Sequence, residues 1–193
     1  MSPLHSAAVR LCAVAALLTL AACGDPSAAP RSAAATGFAT VTKASLAPGT
    51  TVPAPVGQPI LTVTGGSAHA NSADGLALDM ATLERLRVVS ATVFEPYEKK
   101  HLNFSGVEMA DVLRLAGVPK TASVHLTALD DYQVDLTAAE LAAGGLMLAT
   151  RLDGQAIPVA SGGPTRLVFL DGTAAGKDGR QWIWSVARIA AKP

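Results

Sequence analysis

Asp153-Gly154 sits between two apolar runs, residues 146–152 and 156–159, and forces the chain to double back on itself. A two-residue hairpin loop of the favoured kind needs positive φ at both central positions, which Asp and Gly tolerate better than branched residues. The runs on either side are therefore expected as antiparallel neighbours. The same grammar of short runs and firm punctuation recurs from Ile60 onward. Residues 60–64 form a β-branched run closed by Gly65-Gly66, and 88–94 form a strand stopped by Pro96. Residues 123–129 alternate Val124, Leu126 and Ala128 with His125 and Thr127, the pattern of a half-buried strand. Asp130-Asp131 turns the chain into residues 132–135, and Gly162-Gly163-Pro164 turns it into a strand over 165–170. A Gly-rich loop, 172–179, leads to a last strand over 182–189.

Three segments carry helical signals instead. Asp79 caps a short helix through Leu86, with Met80, Leu83 and Leu86 on one side. Met109, Val112, Leu113 and Ala116 place a helix over 108–116, which Gly117 caps and Pro119 cannot continue. Thr137 and Glu140, three apart, make a capping box for a brief helix ending at Gly144-Gly145. The fold class read from this is α+β: a mixed sheet or partly open barrel with three short helices. No internal repeat and no second folded domain is expected. Within it, residues 88–106 read as a buried strand running into a polar loop that returns to the core at Leu102, Phe104 and Gly106.

The N-terminal third reads differently. Arg10 precedes an apolar run, 11–22, that is too short to span a bilayer and suits a signal peptide. It ends in Leu20-Ala21-Ala22-Cys23-Gly24, which resembles a bacterial lipobox. That resemblance implies cleavage before Cys23 and acylation of its sulfur and amine; two or more acyl chains hold a protein stably at a membrane. Residues 24–58 are rich in Ala, Ser, Thr, Pro and Gly and are expected as a flexible tether. The expected organisation is a signal peptide at 1–22, a lipidated Cys23 with tether to 58, and one folded domain over 59–193. The expected location is the bacterial cell envelope facing the periplasm, with Gly24 slightly favouring the outer membrane. Of the two cysteines, Cys12 would leave with the signal and Cys23 would be lipidated, so the folded domain has no thiol for a disulfide, a metal or a nucleophile. Zero formal net charge argues against a nucleic-acid partner, which requires clustered Lys and Arg.

Familiar catalytic patterns are missing. His69, His101 and His125 have no metal-ligand spacing, Asp130-Asp131 reads as a turn, and Ser161-Gly162-Gly163 lacks the flanks of a nucleophile elbow. The Gly-rich loop has no Gly-Lys-Ser/Thr ending and no helix after it, so it is not a phosphate-binding P-loop. Two tryptophans stand out. Trp182 and Trp184 are two apart and would face one side of a strand; Trp184 reads as packing, whereas Trp182, at a loop junction beside Arg180, is placed to stack on a flat heterocycle.

Taken in order, ILTVTG, LDMATLERLRVVSATV, FSGVEMADVLRLAGV, TALDDYQVDL, LMLATRLDGQAIP, GGPTRLVF and WIWSVARIAA resemble the sulfite-oxidase-type molybdopterin-binding oxidoreductase domain, in its small stand-alone periplasmic form. In enzymes of that family a cysteine at the end of the strand matching residues 88–94 binds molybdenum. Here the region reads Ser90-Ala91-Thr92-Val93-Phe94-Glu95, and a hydroxyl or carboxylate does not replace a soft thiolate. The resemblance with this departure implies a non-catalytic binding protein: some small periplasmic proteins of this fold bind a reduced pterin without metal and signal to a membrane-bound sensor that controls cyclic-di-GMP. The ligand site it implies draws on Phe94 and Glu95 and the loop after them, on Asp131, Tyr132, Arg151 and Trp182, with no metal. The alternatives are a molybdopterin-dependent oxidoreductase or its accessory subunit, and a ligand-free interaction domain.

Overall fold

Two sheets divide the strands of this chain, and the site described below lies where they meet. The computed structural model describes residues 37–192 apart from 48, 67 and 68. The expected signal segment and Cys23 lie outside the described residues.

The first sheet is antiparallel throughout, in the order β1 (Ala39–Thr42), β4 (Val88–Glu95), β5 (Lys100–Glu108), β8 (Leu146–Leu152) and β10 (Arg166–Phe169), with β9 (Gln155–Ala156) paired to β8. The second runs β3 (Leu76–Leu78), β2 (Leu61–Thr64), β11 (Val186–Lys192), β6 (Ser123–Ala128) and β7 (Gln133–Leu136). In it β11 is parallel to β2 and antiparallel to β6, so this sheet is mixed. Neither sheet closes into a barrel, and the α+β class with three short helices stands.

One apolar core serves both sheets. Val89 and Val93 of β4, Phe104 of β5 and Leu148 of β8 meet Val63 of β2, Leu126 of β6 and Ile189 of β11, all at 1% exposure or less. Each such side chain contributes about 1.5–3 kcal/mol by leaving water. Helix α2 (Met109–Leu115) adds Met109, Val112 and Leu115 to the same core. Asp79 caps α1 (Met80–Leu83) by accepting from the Thr82 amide at 2.7 Å, and the capping box of α3 (Ala138–Ala143) has both of its reciprocal bonds. At the hairpin, Asp153 and Gly154 take φ of 49° and 77°, the left-handed pair that the turn requires.

The structure departs from the sequence reading in four places. Lys100 and His101, read as part of the polar loop before the return to the core at Leu102, already belong to β5, because their pairing with Glu95 and Phe94 of β4 outweighs their polar composition. Part of the stretch read as a tether is docked: β1 pairs with the edge of β4, and Leu46 and Val52 are each 2% exposed in the core. The exposed edge of β4 offers unpaired amides and carbonyls, which any extended segment nearby satisfies. Finally, the last strand begins at Val186 instead of Trp182, and residues 157–159 are not strand: Pro158 has no N–H to donate and Val159–Ser161 turn as a 3-10 helix.

Candidate functional site

Residues 182–186 run along the seam between the sheets. On one side the Leu167 amide of β10 donates to the Ile183 carbonyl at 2.9 Å, and the Val186 amide donates to the Thr165 carbonyl at 3.1 Å. On the other, the Leu129 amide just past β6 donates to the Ser185 carbonyl at 2.9 Å. The Ser185 amide donates to the Gly162 carbonyl at 2.9 Å, so this residue is tied on both faces. It holds a φ of 52°, unusual for serine, and that strain is what the two bonds impose.

A cavity of about 510 Å³ opens beside the seam. The second sheet supplies Leu129, Asp130 and Tyr132 from the β6–β7 turn, and the first supplies Tyr97 from the β4–β5 turn. Val159 and Gly162 come from the turn before β10, and Trp182, Trp184 and Ser185 from the seam. Four of these, Tyr97, Leu129, Tyr132 and Val159, are large apolar residues that remain more than 40% exposed. Such clustering at a concave mouth is the signature of a surface meant to be covered.

The aromatic residues are fixed by their polar ends. Tyr97 donates its hydroxyl to the Gly179 carbonyl at 3.0 Å, and Tyr132 donates its hydroxyl to the Arg180 carbonyl at 2.7 Å. Burial, together with the nearby Tyr132, Glu95 and Asp178, holds the Tyr97 phenol above its ordinary value of 10.0, so it stays protonated and able to donate. The Tyr97 ring meets Trp184 edge-on, centroids 5.7 Å apart. Trp182 packs on Phe169 at 5.5 Å and donates its indole N–H to the Gly176 carbonyl at 2.9 Å. Only 5% exposed, it is a locked part of the wall, and Trp184 is the more accessible ring.

Two buried charged residues act on these side chains. The Arg166 guanidinium sits 4.1 Å over the Trp184 ring and donates to the Ser161 carbonyl. Burial lowers its affinity for its proton, opposed by the charges of Glu95 and Glu98, and an arginine remains charged under such a pull. Glu95, the last residue of β4, is 0% exposed; one of its oxygens accepts from the Glu98 amide and the other has no partner.

Of the residues expected at a ligand site, Tyr132 and Trp182 line this cavity, as does Tyr97 in the loop after Phe94. Glu95 is fully buried and does not line the cavity. Phe94 points elsewhere: its amide donates to Asp171 and its ring meets His101 edge-on at 5.6 Å. Asp131 is the left-handed residue of the β6–β7 turn, φ 65°, and its neighbour Asp130 faces the cavity instead. Arg151 is not brought there; Glu84 clamps it through two bonds of 2.9 and 2.7 Å. Sequence reasoning passed over Arg166, Trp184 and Ser185. The tryptophan pair was the one local signal near them, with Trp182 read as the stacking ring and Trp184 as packing; Trp182 is 5% exposed and Trp184 is partly exposed.

Comparison with known proteins adds the following. Residues 78–189 match the family model described as oxidoreductase molybdopterin binding domain. No curated protein sequence matches the chain. Among solved structures, the sulfane dehydrogenase SoxCD from Paracoccus pantotrophus is similar, with 18% identity and a TM-score of 0.49 over 60% of this chain and 34% of that one. This chain thus spans about a third of that protein's length.

Proposed function

The chain belongs to the oxidoreductase molybdopterin binding domain family, the sulfite-oxidase type expected from its sequence, and from that premise we propose that it binds a pterin-type planar heterocycle in the seam cavity without catalysing a reaction on it. Molybdopterin makes two separate demands on a protein. Its metal takes a soft thiolate, and the described residues contain no cysteine and no cluster of three His, Cys, Asp or Glu side chains. Its pterin takes flat faces and hydrogen-bonding groups, and the residues around the cavity fit that part: Trp184 and the two tyrosines supply faces, and Asp130 supplies a carboxylate.

The observation that carries the reading is the Trp184 wall, a partly exposed indole braced by Arg166 on its ring and Tyr97 at its edge. In this reading Trp184 stacks on the ligand, Tyr97 and Tyr132 flank it, and Asp130 accepts hydrogen bonds at the mouth. The protein hangs in the cell envelope, facing the periplasm, from lipids on Cys23, and ligand occupancy is passed to a membrane-bound sensor. The pattern Leu20-Ala21-Ala22-Cys23 supports the anchor. The family itself favours a second reading, a molybdopterin-dependent oxidoreductase or its accessory subunit; bound with its metal, the cofactor would supply two-electron redox chemistry.

The full chain, extracted in detergent, separates these readings by fluorescence of its released small molecules and by metal content. A blue-fluorescent pterin without stoichiometric molybdenum is expected. Molybdenum at one per chain would refute the metal-free reading in favour of the second. An empty protein that gains no thermal stability from added pterin would leave an interaction domain, since a ligand of the native state must raise stability.

A further inference from the structure

Where β1 ends and β4 begins, the surface gathers basic side chains. Thr42 of β1 pairs with Val88, and the amides of Ser45 and Leu46 donate to the Arg85 carbonyl at 2.9 and 3.1 Å. A cavity of about 290 Å³ opens there, lined by Ala44, Leu46, Leu86, Arg87, Asp111 and Arg114. Arg114 pairs with Asp111 at 2.7 Å, and Arg87 pairs with Glu108 and, at 3.7 Å, with Asp111. Lys43 and Arg85 directly precede the lining residues Ala44 and Leu86; both are exposed, and neither makes an ion pair among the described residues. Cations therefore outnumber carboxylates on this face. The seam cavity lies past the other end of β4, whose 8 residues span roughly 25 Å. At that end Glu98 matches Lys100 at 3.2 Å, and the exposed Asp130 and Asp131 outweigh Lys99.

We propose that this basic face rests on an anionic phospholipid surface, with headgroup phosphates meeting Arg87 and Arg114 at the small cavity and Lys43 and Arg85 beside it, so that the seam cavity is held away from the bilayer. The inference rests on the lipid anchor proposed above and adds the orientation of the domain. Arginine suits the task because its planar fork meets phosphate oxygens in pairs. Chain length keeps the face within range: Cys23 and Ala39, the first residue of β1, are sixteen residues apart, a stretch that reaches at most about 55 Å. The docking of β1, Leu46 and Val52 on the domain keeps the leash that short. A domain so held meets the surface repeatedly, and a modest patch then suffices. Each Lys or Arg near an anionic leaflet strengthens the contact roughly fivefold. The same surface repels the acidic end, which decides the end that faces it.

The test acetylates the lysines of the full chain, reconstituted by its own anchor into vesicles of phosphatidylcholine alone or mixed with phosphatidylglycerol, and reads each site by mass spectrometry. Lys43 reports the basic face and Lys99, in the β4–β5 turn, reports the far end. Lys43 is expected to react at least about fivefold more slowly on the phosphatidylglycerol vesicles than on phosphatidylcholine, with Lys99 unchanged. Salt at about 1 M, where charges act over only about 3 Å, should erase the difference. Arg85→Gln, at an exposed side chain without an ion pair, should shrink the difference severalfold. Equal Lys43 rates on the two kinds of vesicle overturn the inference, and so does protection of Lys99 as strong as that of Lys43. Inorganic phosphate at matched ionic strength that shields Lys43 equally well on phosphatidylcholine overturns the membrane reading in favour of a free-anion site. Failure of the chain to float with phosphatidylcholine vesicles overturns the lipid anchor instead, and the two failures stay distinct because the acetylation rates are read only on chains that float.

Discussion

Gly162→Ala should damage both the fold and the wall of the site, and the size of the effect follows from two separable causes. Gly162 holds a φ of +79°, where a β-carbon costs about 1–2 kcal/mol. That carbon would also stand 2.7 Å from Trp184 Cε3 and 3.0 Å from its Cδ2, closer than unbonded carbons tolerate. The indole is held by Arg166 and Tyr97, so it yields only by shifting, and overpacking of this kind costs about 1–3 kcal/mol. Gly154→Ala is the control, because Gly154 has a φ of +77° and nothing within 4 Å of the added carbon. It should show the backbone cost alone. At about 2–4 °C per kcal/mol for a chain of this size, G162A should melt roughly 2–12 °C below G154A. Trp182 and Trp184 are the two tryptophans of the chain, so in a Trp182→Phe background the emission reports Trp184. G162A should shift that emission and G154A should not. Equal melting losses with unmoved Trp184 emission would refute the wedge argument.

Other outcomes are equally open to measurement. Burial pushes the Glu84 carboxyl upward, but hydrogen bonds from Arg151 and Thr150 outweigh it and hold the group below its ordinary 4.5. A carboxyl depressed in the folded state adds stability that is complete above its unfolded value and fades as pH falls through the folded one. Glu84→Gln should therefore cost about 1 kcal/mol near neutrality, at the low end because Arg151 is 38% exposed, and should flatten the acid limb of a denaturant-midpoint profile; an unchanged limb would remove the pair from the account. Trp184→Ala should weaken 6-methylpterin binding by about 5- to 160-fold, the range expected for loss of one stacked ring, with circular dichroism reporting whether the fold is kept. The N-terminal peptide of the mature protein should begin at Cys23 and carry acyl mass that Cys23→Ser deletes; an unmodified Cys23 in the wild-type peptide would count against the anchor.

The local elements were legible wherever a short-range cause decides them. Asp79 and Thr137 cap their helices with atoms three residues away, and Asp153-Gly154 turns by its own backbone preference. What went unread was set by pairing at a distance. Lys100 and His101 are strand because β4 lies alongside them, and β1 is strand because β4 has an edge to fill.

The site divides in the same way. The chain alone determined the alternation, caps and turns that give an α+β domain, the family likeness, and the absence of cysteine from residues 88–106. Those are properties of residue type and near neighbours. Only tertiary structure decided that Trp184 and not Trp182 is the accessible ring, since their exposure depends on Phe169 and Gly176 for one and on Arg166 and Tyr97 for the other. It alone sent Arg151 to Glu84 and Arg166 to the face of the Trp184 ring. A seam between two sheets gathers residues from turns far apart in sequence, and no local pattern encodes which of them will face the same space.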